Sequence, residues 1–263
     1  MRHKDNKADT APQSSNAAEL AQFARHAGRW WDPAGPFAPL HKLNPVRIGY
    51  IRSQAARHFR PRNPDQPLAG LGCLDIGCGG GLVTEPLARM GGEVLGIDLV
   101  DDSIAAARAH AAAQGLSVSY RVESAETLAA DGRLFDLVTC LEVVEHVDRP
   151  ADFLATVCSL VRPGGLLVLS TLNRNAASLA LGKIAAEYLL RWVPRGTHDW
   201  RKFAKPHELA APVRQSGLAV ADVTGMNLHP LHGWQLRGPA VINYLMTARK
   251  PSETAARGKE RAK

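Results

Sequence analysis

The stretch "LDIGCGGG", residues 74–81, runs from an apolar, strand-like segment into a glycine-rich turn and then into a helical pattern. Glycines at such a turn let the backbone approach a ligand closely, and the helix N-terminus behind it presents free N–H groups. The spacing is not the dinucleotide pattern G-x-G-x-x-G, which needs a glycine where Leu82 stands. What fits is acid-x-Gly-x-Gly-x-Gly, from Asp75 through Gly77, Gly79 and Gly81.

On either side of this turn, strand-like runs alternate with helical ones. The strand-like runs are "LGCLDI" (71–76), "EVLGID" (93–98), "SVSYRV" (117–122), "FDLVTCL" (135–141) and "LLVLST" (166–171). Leu82–Met90, Ser103–Gln114 and Ala151–Val161 repeat apolar residues at helical spacing. Asp101, Asp102 and Ser103 stand where an N-cap belongs, and Gly115 where a C-terminal cap belongs. This alternation predicts right-handed crossovers and a parallel sheet covered on both faces. "LAVADVTG" (218–225) and "AVINYLMTA" (240–248) would extend it. The expected fold is a doubly wound, Rossmann-like α/β domain with a mostly parallel, seven-stranded sheet. Asp98 ends the second strand, 17 residues after Gly81. A carboxylate there accepts both hydroxyls of a ribose.

The 263 residues suit one large domain with appendages, and 45% apolar content supplies a core. Residues 1–18 are polar and read as a disordered N-terminus, 19–250 as a single domain, and 251–263 as a basic disordered tail. Within the domain, 19–60 reads as a helical cap and 172–216 as a long insert between strands five and six. Four cysteines without a C-x-x-C pair point to neither a zinc ribbon nor a disulfide scaffold, and free thiols fit a reducing cytoplasm. No run is long and apolar enough for a membrane span, so a cytoplasmic protein is expected. The formal charge of +7 is concentrated in the tail and in 191–205. Basic surfaces of that kind attract nucleic acid, anionic lipid or acidic partners.

"TCLEVVEHV", residues 139–147, places Glu142, Glu145 and His146 at i, i+3 and i+4 beyond the fourth strand. A helix starting at the strand exit would put all three on one face. That face serves a metal ion, acid–base chemistry, or only the helix dipole, which favours glutamates in a first turn. From residue type alone these alternatives stay open.

As a set, the glycine turn, Asp98, "FDLVTCLEVVEHV" and "LVRPGGLLVLST" resemble the motifs of class I S-adenosylmethionine-dependent methyltransferases over about residues 70–172. One departure stands out. The superfamily often has an acidic residue after strand three, near the adenine, and "VESAETL" offers Ser124 at that position. Outside the core, "RWWDPAGPFAPLHKLNPVRIGYI" (29–51), "STLNRN" (170–175), "AAEYLLRWVPRGTHDWRKF" (185–203) and "NYLMTA" (243–248) look like the ubiquinone-biosynthesis O-methyltransferases. That resemblance implies methylation of phenolic hydroxyls on two polyprenylated intermediates, a 2-polyprenyl-6-hydroxyphenol and a 3-demethylubiquinol. It implies cofactor contacts at Arg47, Gly77, Gly79, Asp98 and Leu141. It also implies a divalent cation, magnesium above others, on Glu142, Glu145 and His146.

A phenol has a pKa near ~10 and must lose its proton to attack, which a general base or a cation can bring about. Imidazole is an unusual magnesium ligand, so zinc, manganese or a metal-free base role for His146 stays open beside it. His198, in "GTHDW", is a lower-ranked base candidate. In the insert, Leu181, Ile184, Tyr188, Leu189 and Trp192 recur at helical spacing. This helix, with the basic and aromatic residues to 205, reads either as a packed amphipathic helix or as a lid that meets an anionic membrane surface over 175–205. The second reading places the protein on the inner face of the cell membrane, and the resemblance admits other ubiquinone-biosynthesis enzymes as partners. A nucleic-acid methyltransferase usually carries an Asn/Asp-Pro-Pro-aromatic element where this chain reads "LEVVEH", so no nucleic-acid partner is expected. Rival readings are methylation of another small hydroxylated acceptor, or a non-catalytic lipid-binding subunit on the same fold.

Overall fold

The computed structural model describes residues 17–175, 202–229 and 231–252. Helices α1 (Ala17–His26) and α2 (Ala38–Phe59) come first. Then follow β1 (Gly72–Ile76), α3 (Thr84–Arg89), β2 (Glu93–Asp98), α4 (Asp101–Ala113), β3 (Ser119–Val122), α5 (Ala125–Ala130) and β4 (Phe135–Leu141). The chain continues through α6 (Pro150–Ser159), β5 (Val161–Leu172), α7 (Pro206–Gln215), β6 (Ala219–His229), β7 (Gly233–Leu236) and β8 (Asn243–Arg249).

Among the described residues these strands form one sheet in the order β3-β2-β1-β4-β5-β8-β6-β7. β1 to β5 pair in parallel, and β8, β6 and β7 pair antiparallel. The central strands are buried along nearly their whole length, as expected for a parallel sheet covered on both faces. One face packs on Leu128, Phe153, Leu154, Val157, Leu209 and Val213 of α5, α6 and α7. The other packs on Leu43, Tyr50, Ile51 and Ala55 of α2 and on Leu87 of α3. The strand order reverses between β1 and β4, so their carboxyl ends open the crevice where such sheets bind ligands.

The sheet has eight strands rather than seven. The extra one, β7, is a four-residue return after β6, too short to show an alternation in sequence. Helix α4 starts at Asp101, so Asp101, Asp102 and Ser103 lie in its first turn. Val100 is the cap residue, without a side-chain cap bond. Ser103 is instead buried and accepts a hydrogen bond from Trp30 Nε1 at 3.1 Å. Gly115 does take the left-handed conformation after α4, at φ 64°. The third predicted helix ends at Ser159, because Val161 already belongs to β5.

The helix expected at the exit of β4 does not form. Glu142 has φ 55°, and its N–H bonds Ser170 O at 3.0 Å, so it extends the pairing with β5. A single 3-10 turn, Val144–His146, follows, and α6 begins only at Pro150. Proline disfavours a helical residue before it, which keeps the two segments apart. The expected insert helix, from Leu181 to Trp192, and His198 lie outside the described residues, as do 1–16 and 253–263. None of the described helices is long and apolar enough to cross a membrane.

Candidate active site

The glycine turn is held from below and above. Gly77 N–H and Cys78 N–H both donate to Ile97 O of β2, at 2.9 and 3.0 Å. Gly77 has φ 68°, and a Cβ there would collide with Val143 at the exit of β4, so glycine is required where the turn and that exit converge. Gly79, at φ 52°, has no room for a Cβ against the Trp30 ring. Asp98 accepts from Gly79 N–H and from Val100 N–H, both at 2.9 Å. Burial raises its pKa while those N–H groups oppose the rise. Asp98 thus braces the turn, and its two oxygens keep further lone pairs for hydroxyl donors. Asp75 serves a different end. It is buried, and it accepts from Thr84 Oγ1 and Thr139 Oγ1, both at 2.7 Å, tying β1 to α3 and β4.

Opposite the turn stands Arg47 of α2, only 4% exposed. Its Nη2 lies 2.9 Å from Glu142 Oε1. The contact is an ion pair without hydrogen-bond alignment, and Nε and Nη2 donate no hydrogen bond. A buried guanidinium with unspent donors is prepared for a planar carboxylate. Glu142, by contrast, is well supplied. Ser170 Oγ donates to its Oε1 at 2.6 Å, and Asn243 Nδ2 donates to its two oxygens at 3.0 and 3.1 Å. Burial alone would raise the Glu142 pKa, but the Arg47 charge and these donors outweigh it and lower it.

Glu145 is the converse case. It is buried, its Oε2 accepts from Thr171 Oγ1 at 2.8 Å, and burial together with the Glu142 charge holds its carboxyl well above the usual range. His146, whose charge opposes that rise, is half-buried and meets Phe23 of α1 edge-on at 5.9 Å. Leu141 ends β4 beside Ser170.

Arg47, Leu141, Glu142, Glu145 and His146 therefore converge at the carboxyl end of β4, near Gly77, while Asp98 faces the other end of the turn. The one-face arrangement of Glu142, Glu145 and His146 does not hold, since Glu142 sits before the 3-10 turn in a left-handed conformation. Nor does the trio fit a divalent ion as arranged. Glu142 is committed to Arg47, Ser170 and Asn243 and Glu145 to Thr171, and among the described residues no three such groups gather as a metal-holding set.

Sequence reasoning missed two features. The acidic residue after strand three is Glu123, mostly buried, with its Oε2 free of hydrogen bonds and 3.8 Å from Arg121. Ser124 instead caps α5 by accepting Thr127 N–H. The signal was the acid next to β3, one position earlier than expected. Ser170, Thr171 and Asn243 were also passed over as strand residues. Their signal was polarity inside otherwise apolar, buried strands. A groove of about 430 Å³ lined by Trp31, Asn44, Ile48, Glu85 and His110 shares no residue with this site.

Residues 74–169 match a methyltransferase domain family. The ubiquinone biosynthesis O-methyltransferase of Methylobacterium sp. (strain 4-46) is 50% identical over 248 residues, covering 93% of this chain and 99% of that protein. Its counterpart in Sinorhizobium medicae (strain WSM419) is 48% identical over 246 residues, with 92% and 99% covered. Among solved structures, magnesium protoporphyrin IX methyltransferase from Synechocystis PCC 6803 with bound SAH superposes with a TM-score of 0.60 at 21% identity, covering 89% of this chain and 95% of that one. This last likeness speaks for the fold.

Proposed function

This chain belongs to the ubiquinone biosynthesis O-methyltransferase family, and from that premise we propose that it methylates the phenolic hydroxyls of two polyprenylated precursors, a 2-polyprenyl-6-hydroxyphenol and a 3-demethylubiquinol. It is an S-adenosylmethionine-dependent methyltransferase. The observation that carries the reading is the buried Arg47, its Nε and Nη2 without hydrogen bonds, paired with Glu142 just beyond the carboxyl end of β4.

When bound, S-adenosylmethionine supplies an electrophilic methyl group. Arg47 would take its carboxylate, Gly77 and Gly79 would let the backbone close over it, Asp98 would accept the ribose hydroxyls, and Glu123 stands where the adenine edge would lie. Leu141 forms the apolar wall beside the reacting end. In this reading His146 takes the phenol proton. Glu142 holds Arg47 in place until a ligand carboxylate takes over the guanidinium. No step is routed through a divalent ion, because the carboxylates are already committed.

The test is methyl transfer from labelled S-adenosylmethionine to a short-chain demethylubiquinol analogue, with and without EDTA. Product that survives chelation and falls by about 10²–10⁴-fold in His146→Ala supports the base role. That variant should regain rate as pH rises toward the phenol pKa of ~10, where the substrate ionises unaided. Product abolished by EDTA and restored by magnesium would overturn the metal-free reading. A second part of the proposal concerns location: residues 175–205 would hold the enzyme on the anionic inner face of the cell membrane. Deleting 176–200 should weaken co-sedimentation with anionic vesicles, and unchanged binding would refute it.

A further inference from the structure

Strands β6 and β7 form a hairpin whose apolar face continues out of the core. Met226 pairs with Leu236 and Leu228 with Trp234, so all four side chains share one face of the pleat. Met226 is fully buried and Trp234 packs against the same cluster as α2. Beyond them the apolar face runs into solvent: Leu236 is 37% exposed, Leu228 56% and Leu231, at the tip, 84%. Single exposed leucines are ordinary, but three on one hairpin, beside a half-buried tryptophan, form a patch. Among the described residues β7 is the last strand at this side of the sheet. Natural edge strands are usually blunted by charge, yet β7 has none, and the sequence holds no acidic residue between Asp222 and Glu253.

The position of the hairpin bears on what covers it. β6 and β5 both run antiparallel to β8, hence parallel to each other. The outer half of β6 therefore projects past Asn243, where β8 begins, at the carboxyl end of β5. Asn243 is the residue that donates to Glu142, and α2, which bears Arg47, packs on β7. The leucines thus stand at the same end of the molecule as the candidate active site. Arg237, His229 and His232 lie in the same stretch of chain, which holds no acidic residue from 223 to 252. A four-residue edge cannot by itself supply the roughly 1,200 Å² that a stable dimer buries, which disfavours a second copy as occupant.

We propose that this hairpin is a lipid-contact surface, a foot of the enzyme separate from the 175–205 segment, which dips Leu228, Leu231 and Leu236 into an anionic bilayer beside the site. The inference rests on the polyprenylated-acceptor reading for its purpose, but its test does not. Full-length wild type and the Leu228→Ser/Leu231→Ser variant are compared for co-sedimentation with vesicles of phosphatidylglycerol and phosphatidylcholine, the 175–205 segment being intact in both. The variant should bind at least tenfold less, since withdrawing even one leucine from apolar surroundings costs about 1.5–3 kcal/mol. Its turnover of a soluble short-chain acceptor should stay within about twofold of wild type, because neither leucine touches the site, while its KM for a long-chain acceptor in vesicles rises. Equal vesicle binding would overturn the proposal. So would a wild-type dimer that the variant converts to monomer in analytical ultracentrifugation, since the patch would then be covered by a second copy. Reduced binding by the variant, with no turnover of either quinol acceptor by wild type, would keep the lipid surface and sink the acceptor instead.

Discussion

Glu142 combines a left-handed backbone at φ 55° with a mostly buried carboxylate. A non-glycine residue in that region costs on the order of 1–3 kcal/mol and persists only where its surroundings impose it. Here Ser170, Asn243 and Arg47 do so. In Glu142→Gln the Arg47 charge would stay buried without a counter-charge, a loss on the order of 3 kcal/mol or more. A ligand carboxylate would restore the balance. The variant should therefore melt lower than wild type without ligand, yet gain more in Tm from saturating S-adenosylmethionine. Equal gains would mean that Arg47 does not meet the cofactor. Asp75 gives a second residue-scale test. Burial, opposed by Thr84 and Thr139, raises its pKa from 3.8 to about 6. A raised folded-state value means that its contribution is fully present below the unfolded pKa and is lost as pH rises through about 6. That loss is on the order of 3 kcal/mol between pH ~4 and ~7. Urea midpoints of Asp75→Asn should fall less steeply with pH over that window than those of wild type. An identical slope would assign the dependence to other groups.

The cap elements grip the glycine turn through side chains rather than backbone. Trp30 stacks on Phe37 with ring centroids 3.5 Å apart and presses on Gly79 and Gly80. Trp31 Nε1 donates to Gly80 O at 2.9 Å, and Asn44 Nδ2 donates to Leu82 O at 2.6 Å. Trp31 also stacks on His110, which bonds the buried Glu85 at 2.6 Å. The shape of the turn thus depends on the cap being seated. Trp31→Phe keeps the stack but deletes one N–H···O bond, worth about 1 kcal/mol. Calorimetry should find S-adenosylmethionine binding weakened about fivefold, with kcat nearly unchanged, and a change in kcat alone would contradict the grip. None of this was readable beforehand. The α/β alternation from 71 to 171 was legible because buried parallel strands need unbroken apolar runs and crossover helices need a 3.6-residue period. The strand-four exit was misread for a related reason: spacing says which residues share a face only if a helix forms, and Glu142 was drawn into pairing with Ser170 instead. Contacts across distant sequence, such as Trp31 to Gly80 or Asn243 to Glu142, leave no local period at all.

At the scale of the whole molecule, the site end of the sheet carries both the apolar hairpin and the helix bearing Arg47, while the chain as a whole is formally +7. Two forces would then draw it to an anionic bilayer, and salt separates them. Screening shortens the reach of the charges from about 10 Å at ~0.1 M to about 3 Å at ~1 M ionic strength, whereas apolar burial is not screened. Vesicle binding by wild type should weaken steeply over that range. The ratio between wild type and Leu228→Ser/Leu231→Ser should stay constant throughout, because the leucines contribute a salt-independent part. The fraction of phosphatidylglycerol acts as a second control: lowering it should imitate salt, reducing both proteins' binding in parallel. If the two proteins instead converge at high salt, the charges alone bring the molecule to the surface. The leucines would then not enter the bilayer, and the route from lipid to Glu142 would have to lie elsewhere on the rim.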